Sequence, residues 1–384
     1  MHPWEAYQGI YLHIPFCQHK CSYCDFISYQ GQDEVARTRY VKALIKEIRS
    51  CEAPLPVSRG ATIYVGGGTP SLLSLEELAA IFSALKEKGY FNAPREVTLE
   101  ANPGTVDEAY LRGLRALGVD RLSLGIQSLE DSELRLMGRT HTADEARHII
   151  QLSKEAGFTR LSCDLIYGFP TQTAASIEAS LTELMALGPS HISIYGLSVE
   201  PGTVLSHKLQ KGLWTLPTDE ETGAMYDLIM DRLAKGGYER YEISNFAKAG
   251  DESRHNLIYW HYHPYLAFGA GATGFDGKKR ETNQAYLAAY ERGEAPEIEI
   301  LSPAVQREEM IFMNLRTVRG LSLLDYETRF GRSFELDYGP ETEDLIHKGW
   351  AKREDGHFRL TPLGMQYGNL AFEAFITTDR EPQK

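Results

Sequence analysis

Residues 9–26 read GIYLHIPFCQHKCSYCDF. The first eight, Gly9–Phe16, form an apolar run with β-branched and aromatic residues and read as a strand. That strand leads directly into Cys17-x-x-x-Cys21-x-x-Cys24. The chain has five cysteines, and three of them fall within these eight positions. That is not a disulfide framework; in a reducing compartment it reads as a metal site. Three thiolates on one loop after a strand can ligate three irons of a cubane [4Fe–4S] cluster, leaving the fourth iron open to another molecule. Zinc is the rival. A closed zinc site needs a fourth ligand, which His13 or His19 would have to supply. The spacing and the glycine loop further on fit the cluster better.

Outward from this stretch, strand and helix patterns alternate. VARTRYVKALIKEIRSC (35–51) places Val41, Leu44, Ile45 and Ile48 on one helical face. ATIYVGGG (61–68) is a strand ending in glycines, and the next helix opens with Ser74 and Glu77, a capping box. EVTLEAN (96–102), RLSLGIQS (121–128), RLSCDLIYG (160–168) and HISIYGLS (191–198) are four more strands with helical stretches between them. Six β–α units over about residues 9–235 imply parallel strands with right-handed crossovers. Polar or glycine residues recur where strands end: Gly66 to Thr69, Glu100 to Asn102, Gln127, Asp164 and Ser198. A barrel gathers such ends on one rim, whereas an open sheet gathers ligands at a switch point. The expectation is an α/β fold, a partial TIM-like (β/α)6 barrel over 1–235.

Residues 236–300 read as a connecting region carrying His255-Asn256-Leu257-Ile258-Tyr259-Trp260 and the glycine-rich stretch FGAGATGF. From 301 to 384 the chain turns helical and includes WAKREDGHFRL, a hairpin around Asp355-Gly356. This pattern predicts a small winged-helix-like domain, used for protein contact or barrel capping.

The formal charge of −13 comes from 53 acidic against 40 basic residues, with no Lys/Arg cluster, so nucleic acid is not an expected partner. No apolar run approaches the ~20 residues of a membrane span, and the first residues lack a signal-peptide pattern. A cytoplasmic protein is expected.

The motif CxxxCxxC on the first loop of a β–α barrel resembles that of radical S-adenosylmethionine proteins. YLHIPFCxxKCxYC, GGGTPS and DLIYGFP together resemble the oxygen-independent coproporphyrinogen III dehydrogenase group, over nearly the whole chain. The resemblance implies a [4Fe–4S] cluster on Cys17, Cys21 and Cys24 and S-adenosylmethionine at its open iron. It implies that Tyr11 contacts that molecule and that Tyr23 lies near a second one. Gly66, Gly67, Gly68 and Thr69 would present backbone to its amino-acid part, since glycine allows close approach. Glu100 suits an ammonium or ribose hydroxyls. Gln127, Arg139 and Asp164 match further contact positions, with Arg139 able to grip a carboxylate in a bidentate pair.

Two departures separate the chain from the dehydrogenases. Their fourth cysteine, two residues after the third, is replaced by Phe26, and only sixteen residues precede Cys17. HNxxYW together with CxxxCxxCxF resembles the HemW-type heme chaperones of the same superfamily. That likeness implies heme as cargo, heme-accepting respiratory proteins as partners, a homodimer, and peripheral contact with membrane proteins. Histidine is a common axial ligand and aromatics stack on macrocycles, so His255 is the expected heme ligand, with His261 and His263 as alternatives. The dehydrogenase itself is the second reading, and a radical enzyme on an unrelated substrate the third. Cys163, inside an apolar strand, is expected in the core; Cys51 has no assigned role.

Overall fold

The computed structural model describes residues 2–376, so the last eight positions of the expected 301–384 domain lie outside the described residues. Its centre is a run of parallel strands: β1 (Tyr7–Ile14), β4 (Val57–Gly67), β5 (Val97–Ala101), β6 (Arg121–Gln127), β7 (Arg160–Tyr167) and β8 (His191–Gly196). Two short strands, β2 (Phe16–Cys17) and β3 (Tyr29–Gln30), pair with each other beside β1. The helices α1 (Glu34–Ser50), α2 (Leu75–Glu87), α3 (Glu108–Leu117), α4 (Asp131–Met137), α5 (Ala143–Glu155) and α6 (Ala174–Leu187) return the chain between strands. The capping box at Ser74 and Glu77 forms, each side chain meeting the other's backbone N–H.

Period-two alternation sorts the strand residues. Ile63, Val65, Leu99, Leu122, Leu124, Leu161, Cys163, Ile192 and Ile194 are buried among apolar neighbours. The intervening positions are polar: Thr62, Tyr64, Thr98, Glu100, Ser123, Ser162, Asp164, Ser193 and Tyr195. Parallel register aligns Glu100 with Ser123 and Asp164 with Ser193, so the second set forms one polar lining inside the barrel. Cys163 is a core residue, as its apolar strand predicts.

Residues 236–300 do more than connect. After α7 (Val204–Gln210) and α8 (Asp219–Lys235), strands β9 (Glu239–Arg240) and β10 (Asn245–Ala247) extend the sheet antiparallel beyond β8. Helix α9 (Arg254–Trp260) follows. Then β11 (Tyr265–Phe268) pairs parallel with β1 on the opposite side, and β12 (Thr273–Phe275), β13 (Lys279–Thr282) and β14 (Glu297–Ile300) continue outward. The sheet therefore holds twelve strands, with β14 and β9 at its ends; among the described residues these ends do not pair. The barrel is partial.

From Pro303 onward, helices and a three-stranded sheet (Leu321–Ser322, His357–Leu360, Ala351–Glu354) surround a second core of Tyr326, Phe334, Phe358 and Phe375. Tyr262 and Phe275 of the barrel side join that core, so the two units pack against each other.

Candidate functional site

The cysteine loop leaves β1 at its C-terminal end and is pinned at its base and its middle. Its base is closed by β2 and β3, with Tyr29 N–H donating to the Pro15 carbonyl at 2.7 Å. Its middle is held by Ser22, whose N–H donates to Met137 O at 2.9 Å and whose carbonyl accepts from Leu205 N–H at 2.7 Å. All three thiols are half-buried and free, and all line one cavity of about 450 Å³ at the C-terminal ends of the strands. Gly67, Gly68, Thr69, Glu100, Gln127, Arg139, Asp164 and Tyr23 line the same cavity. The rim expected of a barrel is thus observed.

The residues fit a cubane and a bound small molecule. A side chain at Gly68 would place a Cβ 2.6 Å from Phe16 O and 3.0 Å from Cys17 Sγ, so only glycine lets the second strand's loop close over the first. Gly67 adopts φ +117°, open to glycine alone without strain. Thr69 Oγ1 lies 3.6 Å from Cys17 Sγ, and Arg139 donates to Cys21 Sγ at 3.3 Å, so two thiols already have donors suited to thiolate charge. A single zinc ion asks for four donors around one point, and among the described residues no three of His, Cys, Asp or Glu stand that way. A cubane asks for three thiols on three separate irons.

Glu100 and Asp164 are the acidic floor. Glu100 accepts from Tyr64 OH at 2.6 Å and from Gly67 N–H at 3.1 Å. Burial pushes its carboxyl up to about 7, and burial pushes Asp164 up to about 6. Two carboxyls titrating near neutrality can exchange a proton for a ligand cation. Gln127 sits at the register shift between β6 and β7 with φ +69°, a conformation that costs about 1–3 kcal/mol outside glycine and aims its amide at the cavity.

Three expected residues sit differently. Arg139 was expected to be free for a bidentate carboxylate grip. Its terminal nitrogens instead bond Cys21 Sγ, Asn102 Oδ1 at 2.6 Å and Gly125 O at 2.7 Å, leaving only the buried Nε unpartnered. Tyr11 does not line the cavity. It lies one layer beneath, bonding His13 Nδ1 at 2.9 Å and packing beside Tyr64.

His255 is the third. It is fully buried under the opposite end of the barrel. Its Nδ1 bonds Thr62 Oγ1 at 2.7 Å and its Nε2 bonds Tyr259 OH at 2.7 Å. Glu96 accepts from the His255 and Arg254 N–H groups, fixing the start of α9, and is itself paired with Arg160 at 2.7 Å. Both ring nitrogens are taken and His255 lines neither the cluster cavity nor the one beside Cys51, so it does not offer an axial position to iron in this fold. It stacks on Tyr64 at 5.0 Å, and Tyr64 holds Glu100, so the HNxxYW segment supports the acidic floor from below. His261 and His263 border a cleft of only about 160 Å³, against roughly 300 Å³ or more for a small-molecule site. The sequence pattern did not single out Tyr64, Ser123 or Tyr195. The polar positions alternating within the strand runs were the available signal.

Residues 11–184 match the radical SAM superfamily and residues 301–367 the HemN C-terminal domain. The chain is thus a radical SAM protein with a HemN-type C-terminal unit, a class that implies a [4Fe–4S] cluster and S-adenosylmethionine. It is 36% identical to "Heme chaperone HemW" of Lactococcus lactis, covering 96% of this chain and 97% of that one. Identity to the Escherichia coli protein of the same name is 30%, over 96% and 98%. A bovine mitochondrial relative, "Radical S-adenosyl methionine domain-containing protein 1", is 35% identical over 83% and 75%. The solved structure of Escherichia coli coproporphyrinogen III oxidase shares the fold, with TM-score 0.83 at 22% identity over 98% and 91%. The chain belongs to the HemW family.

Proposed function

We propose that this protein is a cytoplasmic heme chaperone that binds heme and passes it to heme-accepting respiratory proteins. The observation that carries the reading is the end-to-end similarity to curated heme chaperones. In this reading Cys17, Cys21 and Cys24 hold the cluster, whose open iron supplies a ligand position for the amino and carboxylate groups of S-adenosylmethionine. Gly67 and Gly68 admit that molecule's amino-acid part, Glu100 and Asp164 meet its cationic and hydroxyl groups, and Gln127 closes one side. Arg139 acts on the cluster side, as a donor to Cys21. Occupancy of this cavity would control heme handover or dimerisation. No helix among the described residues is long and apolar enough to cross a membrane, which is compatible with peripheral contact at a membrane-protein acceptor.

The second reading, oxidative decarboxylation of coproporphyrinogen III, is favoured by the shared fold. Phe26 in place of a fourth cysteine argues against it. Anaerobic incubation of the iron- and sulfide-reconstituted protein with heme, and separately with coproporphyrinogen III and S-adenosylmethionine, decides. The expected result is stable heme uptake and no protoporphyrinogen; protoporphyrinogen formation would overturn the proposal.

A further inference from the structure

Of the chain's twelve histidines, four have ring nitrogens held by partners inside the barrel. His13 bonds Tyr11, His141 bonds Ile126 O, His191 lies between Ser162 and Tyr241, and His255 lies between Thr62 and Tyr259. His19 is different. It stands on the cysteine loop between the first two thiols, is exposed to solvent, and lines the cluster cavity. No described residue bonds its ring. An imidazole with no protein partner beside an opening is what a metalloporphyrin iron needs.

The surroundings match the rest of such a ligand. Phe26, two residues past the third thiol, is 67% exposed and lines the cavity, and Tyr195 across the opening is 41% exposed. Large exposed aromatics on one rim mark a binding surface more than a solvated one. Lys20, exposed beside His19, borders the same opening and makes no hydrogen bond or ion pair with the described residues. With the cluster and S-adenosylmethionine in the cavity of about 450 Å³, a macrocycle has room only across its mouth.

We infer that heme docks over the mouth of the cluster cavity, with a ring nitrogen of His19 as axial ligand, Phe26 and Tyr195 against the porphyrin face, and Lys20 toward a propionate. This rests on the heme-chaperone reading and places its cargo. It also gives the cavity a role in release that needs no bond cleavage. A macrocycle on the mouth covers whatever occupies the cavity, so the two ligands must alter each other's affinity by the same factor.

The test is titration of the anaerobically reconstituted protein with ferric heme, followed by absorption and EPR. Wild type should show an imidazole-ligated signature. H19A should lose it, with at least tenfold weaker binding, and added imidazole should restore it. H19M should change the ligand signature while melting and iron content stay at wild-type values. F26A should weaken binding without changing the signature. Heme uptake by H19A with unchanged affinity and spectrum overturns the inference while leaving the chaperone reading intact. A wild-type protein that takes up no heme overturns both.

Discussion

Replacing His255 by alanine separates a supporting residue from a heme ligand. The ring makes two buried hydrogen bonds, to Thr62 and Tyr259, each 2.7 Å, and stacks on Tyr64 at 5.0 Å. Each bond is worth about 1 kcal/mol net, and each hydroxyl left unpaired adds about 1–3 kcal/mol. The void left by the ring adds about 2 kcal/mol or more. These contributions overlap because the same atoms relax together, so a total of about 3–5 kcal/mol is expected, or a fall in melting temperature of roughly 4–6 °C. T62V should cost less, and the double variant H255A/T62V should cost less than the two singles added, since they share one bond. Tyr64 loses its stacking partner in H255A, so its hold on Glu100 slackens and S-adenosylmethionine affinity should drop several-fold. The assays are thermal melts of the protein without ligands, calorimetric titration with S-adenosylmethionine after reconstitution, and heme spectra. A variant that melts within a degree of wild type yet loses its histidine-type heme signature would show His255 to be a heme ligand and not a strut.

The floor carboxyls predict a pH dependence. Glu100 is raised to about 7 and Asp164 to about 6, both by burial. If S-adenosylmethionine needs the Glu100 carboxylate, its affinity rises about tenfold between pH 6 and 8, and E100Q flattens that rise; an unchanged profile in E100Q would count against the assignment. Without ligand the sign reverses. A carboxyl raised in the fold contributes stability that is present below its unfolded value near 4 and lost as pH climbs through 6 to 7, so the empty protein should melt lower at pH 8 than at pH 6 on this account. G68A forces a Cβ against Phe16 O and Cys17 Sγ, and iron retained per chain after desalting should fall well below wild type; equal iron would show that the loops do not need this contact. C51A should retain full iron and sulfide, because Cys51 lies at the end of α1, bonded by Tyr90 at 3.7 Å, and lines a different cavity.

The barrel was legible because its signal is repetitive. Each strand brings apolar residues of period two, each helix a capped amphipathic stretch, and each strand end a polar residue, so the rim followed from order alone. The thiols were legible from spacing. Residues 236–300 were not. Their strands are two to four residues long, too short for periodicity, and β11 pairs with β1 across some 250 positions of chain. The role of His255 is not legible in the sequence for a related reason. The sequence shows an imidazole among aromatics, and a buried strut and an iron ligand share that description. Only the positions of Thr62 and Tyr259 show that both nitrogens are already used. The sequence likewise does not show that Asn102 and Gly125 engage Arg139.

In the proposed site, Cys17, Cys21 and Cys24 hold a cubane with one iron open to S-adenosylmethionine. EPR of the dithionite-reduced, anaerobically reconstituted protein, recorded with and without S-adenosylmethionine and alongside iron and sulfide analysis, tests it most directly. The expected result is about four irons and four sulfides per chain, a reduced-cluster signal that changes when S-adenosylmethionine is added, and loss of both in any single cysteine-to-alanine variant. A signal indifferent to S-adenosylmethionine, or a chain that binds one zinc and no sulfide through the same three thiols, would contradict it.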